Sequence, residues 1–172
     1  MGWKGFLIAS IMYITITPQK LGANFNQSSM WKDVTYEPGE VKAVVYKDGA
    51  VIGEKTIKTA GEVSMIKLSP DRTTIMANGI DLSYILVEAF DKDGNPAPLA
   101  DNALQIEVNG TGYLAGVGNG NPQSLTPFKG NTVNLFYGKA MIIIGSGFKK
   151  GLTNVSVRGE GLNEVRTQLE IR

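Results

Sequence analysis

Two alternating runs that meet at Lys47-Asp48-Gly49 constrain this chain more than anything else in it. Residues 40–46, Glu-Val-Lys-Ala-Val-Val-Tyr, alternate polar and apolar side chains, and residues 50–57 return after the turn. Alternation at period two gives a strand with one face turned to a core. Asp-Gly supplies the positive φ that a two-residue hairpin loop requires. The same grammar continues to the C-terminus. Strands are expected at 64–68, 82–90, 103–108, 111–117, 139–145, 152–158 and 165–171, with a short edge segment at 73–76. Turns fall at 69–72 and at 91–96, Asp-Lys-Asp-Gly-Asn-Pro. About seven short strands with turn signals every eight to twelve residues fit an immunoglobulin-like sandwich, and no stretch carries a convincing long helix.

Composition narrows the chemistry. The chain has no cysteine and no histidine. That excludes disulfide scaffolds, thiolate nucleophiles, sulfur- or imidazole-based metal sites, and Ser-His-Asp or Cys-His catalysis. Formal net charge is +1, with Lys and Arg scattered along the chain, so neither nucleic acid nor an anionic lipid surface is an expected partner. No cofactor and no metal are expected. The 21 glycines against 7 prolines suit many strands joined by tight turns.

Residues 5–16 form an apolar run after a short basic start, with Gly22-Ala23 as a weak cleavage signal. Two readings stand: a secretory signal, or a buried strand, the latter favoured because residues 13–17 alternate. The run is too short to span a bilayer comfortably. Residues 19–29 are polar and read as a loop.

Trp31, Tyr36-Glu37-Pro38-Gly39-Glu40, the Lys47-Asp48-Gly49 turn and Thr59-Ala60-Gly61 occur in an order that resembles the C-terminal region of glycoside hydrolase family 2, the β-galactosidase-like enzymes. Ile66-Lys-Leu-Ser-Pro-Asp-Arg72, Asp81-Leu-Ser-Tyr84, Asp91-Lys-Asp-Gly-Asn95, Gly116-Val-Gly-Asn-Gly-Asn-Pro122, Pro127-Phe128 and Phe136-Tyr-Gly-Lys-Ala140 extend the likeness over about residues 29–171. Where the family commonly carries Ser-His-Glu-Pro, this chain has Ser124-Leu-Thr-Pro127. The resemblance implies an all-β chain: a divergent leader over 1–28, a partial β-sandwich over 29–61 and an immunoglobulin-like β-sandwich over 62–172. It implies a non-catalytic accessory module whose partners are the catalytic domains of a parent or split glycosidase. A periplasmic or secreted location goes with that reading. The alternative is a free-standing carbohydrate-binding or adhesin-like module with a glycan as partner. An incomplete first unit would leave an open sheet edge available for self-association.

Candidate chemistry is sparse. Retaining glycoside hydrolysis needs two carboxyl groups about 5 Å apart, one of raised pKa. Glu37 with Glu40, and Asp91 with Asp93, are nearest in sequence, but both pairs sit in turn signatures, so no catalytic residue is assigned. Asp91-Lys-Asp93-Gly-Asn95 also has the look of a calcium loop, yet lacks the distant bidentate Glu of an EF-hand, and a turn accounts for it better. The best functional surface is the loop from Gly116 to Tyr137. Asn119 and Asn121 offer amides, and Phe128, Phe136 and Tyr137 offer flat rings for a sugar or a protein interface. The plainer reading is that Asn and Gly build the turns while the aromatics plug the sandwich end. Trp31 is read as core.

Overall fold

The alternation in Leu82–Asp91 is reproduced side chain by side chain: Ser83, Ile85, Val87, Ala89 and Asp91 are buried, and the residues between them are not. The computed structural model describes residues 10–16, 36–47 and 49–172, and every element among them is a strand. The chain divides into two units, Met1–Thr59 and Ala60–Arg172.

In the first unit β1 (Ser10–Ile16), β2 (Gly39–Lys47) and β3 (Ala50–Lys58) form a three-stranded sheet in that order. The β2–β3 pairing is the expected hairpin. Lys47 faces Ala50 across a two-residue loop, with Gly49 at φ 82°, a left-handed value that glycine adopts without a Cβ penalty. β1 pairs with β2 in parallel, Ser10 facing Gly39 and Ile16 facing Val45. Residues 10–16 of the apolar run are therefore a strand. Trp31 and the loop expected over 19–29 lie outside the described residues.

The second unit is a β-sandwich. One sheet has the order β4 (Val63–Pro70), β6 (Leu82–Asp91), β10 (Lys139–Ser146) and β8 (Gly112–Gly118). The other has β5 (Thr74–Ile75), β12 (Leu162–Ile171), β11 (Gly151–Gly159), β7 (Ala103–Gly110) and β9 (Thr132–Asn134). Labelled by chain order these are the ABED and GFC sheets of a constant-type immunoglobulin sandwich. β5 adds a parallel edge contact to β12 and β9 extends the sheet beyond β7. β9 was not among the expected strands.

Both inner faces supply the core. Ile85, Ile142 and Ile144 from the first sheet, and Val155, Val157 and Leu169 from the second, are wholly inaccessible to solvent. Each such side chain contributes roughly 1.5–3 kcal/mol of transfer free energy, which makes this layer the source of the unit's stability. Two buried hydroxyls are satisfied by backbone: Thr153 Oγ1 accepts from Gly112 N at 2.8 Å, and Ser83 Oγ donates to Arg72 O at 2.8 Å.

Candidate functional site

Past the end of β8 the chain folds into three successive side-chain-capped turns. Asn119 Oδ1 accepts from Asn121 N at 3.0 Å, Asn121 Oδ1 accepts from Gln123 N at 2.9 Å, and Ser124 Oγ accepts from Thr126 N at 3.3 Å. Short polar side chains that bond to the backbone two residues on hold such turns without any regular ladder. Asn119 Nδ2 also donates to Asn134 O at 2.9 Å, tying the loop to β9. Asn119 is thus engaged at both ends of its amide. Asn121 Nδ2 has no protein partner among the described residues.

Phe128 returns the loop to the sheet, its carbonyl accepting from Val117 N at 2.8 Å while its ring covers Gly118. That ring is 76% exposed. Together Gly118, Asn119, Asn121, Pro122 and Phe128 line a cleft of about 260 Å³. Leu125, in the segment that departs from the family pattern, is exposed.

Phe136 and Tyr137 do not line this cleft. They belong to the turn into β10, where Phe136 and Lys139 exchange backbone hydrogen bonds of 2.8 and 3.1 Å around Tyr137-Gly138. Tyr137 has φ 49° and Gly138 φ 72°, the paired positive values of a tight hairpin turn. The two rings meet edge to face with centroids 4.5 Å apart. Phe136 is half-buried and Tyr137 exposed, so of the three aromatics only Phe136 packs even in part against the sandwich end. The expectation that the aromatics plug that end fails for Phe128 and Tyr137. Turn geometry, set by Tyr137-Gly138 and by the Phe128 backbone bond, holds these two rings outward.

Of the candidate carboxylates Asp91, Asp93 and Glu40 are engaged in structure, and Glu37 is not. Asp91 is buried, with Oδ1 accepting from Asp93 N and Asn95 N at 2.9 and 2.8 Å, and Oδ2 accepting from Asn95 Nδ2 and Gly61 N, both at 3.0 Å. The Asn95 amide first, then the Gly61 N–H, hold its carboxyl far below the usual carboxylate range. These four donors make Asp91-Lys-Asp-Gly-Asn95 a turn closed on its own first residue. Asp93 pairs with Lys92 at 2.9 Å, Glu40 with Lys58 at 3.2 Å, and Glu37 is exposed. Asp81, which accepts from Met76 N and pairs with Arg72, is likewise held low.

Residues 66–168 match the sequence profile of the glycoside hydrolase family 2 C-terminal domain 5. The chain belongs to that family. A second profile, a domain of unknown function (DUF4982), matches residues 17–53, beginning ahead of residue 29. Among curated proteins the chain is 42% identical over 134 residues to a β-galactosidase of Bacteroides ovatus, BoGH2A, covering 78% of this chain and 16% of that protein. It is 26% identical over 168 residues to a β-glucuronidase of Formosa agariphila, covering 90% of this chain and again 16% of the relative. Among solved structures a family 2 glycosyl hydrolase of Bacteroides cellulosilyticus superposes with TM-score 0.76 at 34% identity, over 81% of this chain and 18% of the other. A β-glycosidase of Bacteroides vulgatus gives 0.73 at 29% identity, over 80% and 18%. The chain therefore spans about a sixth of the length of these curated relatives, and it corresponds to the C-terminal region of family 2 proteins.

Proposed function

We propose that this chain is a non-catalytic accessory module of a family 2 glycosidase, acting on the catalytic domains of a parent or split enzyme rather than on a glycosidic bond. The observation that carries this reading is the family match, together with the state of the acids. A general acid of a retaining enzyme needs its pKa raised, whereas Asp81 and Asp91 are held low by hydrogen bonds. The module's part in the enzyme is structural: a preformed sandwich that supports or spaces the catalytic domains, in a bacterial glycosidase exported to the periplasm or beyond. No helix of the described residues is long and apolar enough to cross a membrane.

The test is to assay the purified chain on aryl β-galactoside and β-glucuronide, then add it to BoGH2A shortened by its matching C-terminal region. No turnover by the chain alone, and a complex with the shortened enzyme on gel filtration, are expected. Turnover abolished by Glu37→Gln with Glu40→Gln would overturn the proposal.

A second reading, a carbohydrate-binding module, is favoured by one observation: Phe128 and Asn121 border the same cleft, an exposed ring face beside an amide nitrogen without a protein partner among the described residues. Phe128→Ala abolishing retention on a galactan matrix would support it, and unchanged retention would remove it.

A further inference from the structure

The opposite end of the sandwich, where β10 leads into β11, carries a second exposed ring. Phe148 is 83% exposed, and it rests on Gly79 from the loop between β5 and β6. A Cβ built on Gly79 would lie 2.5 Å from the ring's Cζ and 2.9 and 3.0 Å from its two Cε atoms. Near-equal, short distances to all three place Gly79 over the ring face. An approach in the ring plane would leave both Cε atoms much farther away. The tip of the Phe148 ring therefore lies against Gly79 from one face, and most of the ring is open to solvent.

Gly79 has φ 78°, a left-handed value that glycine adopts without a Cβ penalty. Asn78 Oδ1 accepts from Ile80 N and Asp81 N at 3.0 and 2.9 Å, Asp81 Oδ2 accepts from Met76 N at 2.8 Å, and Ala77 N donates to Arg172 O at 2.6 Å. The loop that carries Gly79 is thus pinned by these bonds.

Charge stands beside it. Lys149 and Lys150 follow Phe148 directly, both are exposed, and neither forms an ion pair among the described residues. Most other cations of this unit are paired: Arg72, Lys92, Lys139, Arg158, Arg166 and Arg172 each have a carboxylate within 4.0 Å. Lys150 also lines an open cleft of about 340 Å³ with Leu152, Arg172 and Glu170, whose carboxylate is paired with Arg172 at 2.8 Å.

We propose that this end of the sandwich binds an acidic polysaccharide, with the C–H face of one sugar ring on the free face of Phe148 and uronate carboxylates on Lys149 and Lys150. An aromatic face is the negative side of its quadrupole and suits polarised C–H groups. Two ammonium groups without partners suit carboxylates, as charge-assisted hydrogen bonds require. This site is separate from the Phe128 cleft.

Electrophoresis of the whole chain through gels containing polygalacturonate, with neutral galactan for comparison, tests it. A net charge of only +1 gives little bulk attraction to a polyanion, so retardation in polygalacturonate and not in galactan is the expected result. Phe148→Ala should weaken it about two- to tenfold, the loss of one stacked ring, and Lys149→Ala with Lys150→Ala should also weaken it, while Phe148→Tyr retains it. The proposal is overturned if the native chain is not retarded, if Phe148→Ala is retarded equally, or if dextran sulfate retards both alike, which would be ion exchange. It is also overturned if sedimentation shows Phe148→Ala dissociating an oligomer without changing retardation, which would make the ring a contact between copies.

Discussion

The two units of this chain solve the same problem differently. In the sandwich unit each sheet buries its apolar face against the other, and side chains on β6, β10, β11 and β12 reach zero exposure. In the first unit Val44 is the one core residue among those described, and all nine residues of β3 are exposed, Val51, Ile52 and Ile57 included. A strand is apolar on one face only because something is meant to cover that face. One unit carries its own cover. The other presents a three-stranded sheet whose edge strand β3 has apolar side chains in solvent, held to β2 by cross-strand pairs such as Lys42 with Glu54 at 2.8 Å.

The largest effect that would sharpen this contrast lies in the sandwich core. Ile142, at the centre of β10 and wholly buried, is expected to cost about 2–5 kcal/mol on truncation to Ala, the transfer loss plus the cavity left behind. Urea unfolding of the Ile142→Ala chain measures this directly. A loss under about 1 kcal/mol would mean that the layer around Ile142 is not the centre of a cooperative unit.

Asp91 comes next. Its carboxyl pKa is lowered on folding by the Asn95 amide and the Gly61 N–H, so the stabilisation is complete above the ordinary carboxylate range and is lost as pH falls toward the depressed folded value. Native protein should lose stability progressively below about pH 4. Asp91→Asn should be less stable at neutral pH and show a flatter acid limb, because Asp91's share of the difference in proton uptake between folded and unfolded chains is gone. Melting followed by circular dichroism from pH 7 to the acid limit checks both, and an unchanged acid limb in the variant would reassign the titration to other groups.

How much of this was legible in the sequence follows from the range of each interaction. β6 and β11 could be read because alternation is written in consecutive residues, and the Asp91 turn because its donors lie within four residues, apart from Gly61. β9 could not, since three residues hold no period and its strand character comes from pairing Val133 with Leu104, far back in the chain. The parallel partner of β1 is equally a property of the fold, not of residues 10–16. In the candidate loop the turn-building role of Asn119 and Asn121 was readable from spacing. The separation of Phe136 and Tyr137 from the Phe128 cleft was not, because it depends on where β9 anchors the loop. Phe148 was overlooked altogether. Its only local sign is an aromatic and two lysines set between Gly147 and Gly151, and Gly79, which its ring touches, lies on another loop.

The smallest expected effect on stability is at β3, and it is the one that most directly tests the contrast between the units. Ile57 is 66% exposed, so Ile57→Ala should change unfolding free energy by no more than about 0.5 kcal/mol, as for exposed sites in general. Its consequence should appear in association instead. An edge strand with exposed apolar side chains is a template for pairing with another chain, and a charge placed there is the usual device against it. Ile57→Lys is therefore expected to leave stability near native while shifting the chain toward monomer in sedimentation at high concentration. If the native chain is already monodisperse and Ile57→Lys changes nothing, the exposed face of β3 is tolerated as it stands, and the contrast between the units reduces to one of depth of burial. If instead Ile57→Ala destabilises as much as a core truncation, that side chain is covered in solution, and the first unit has a partner surface of its own.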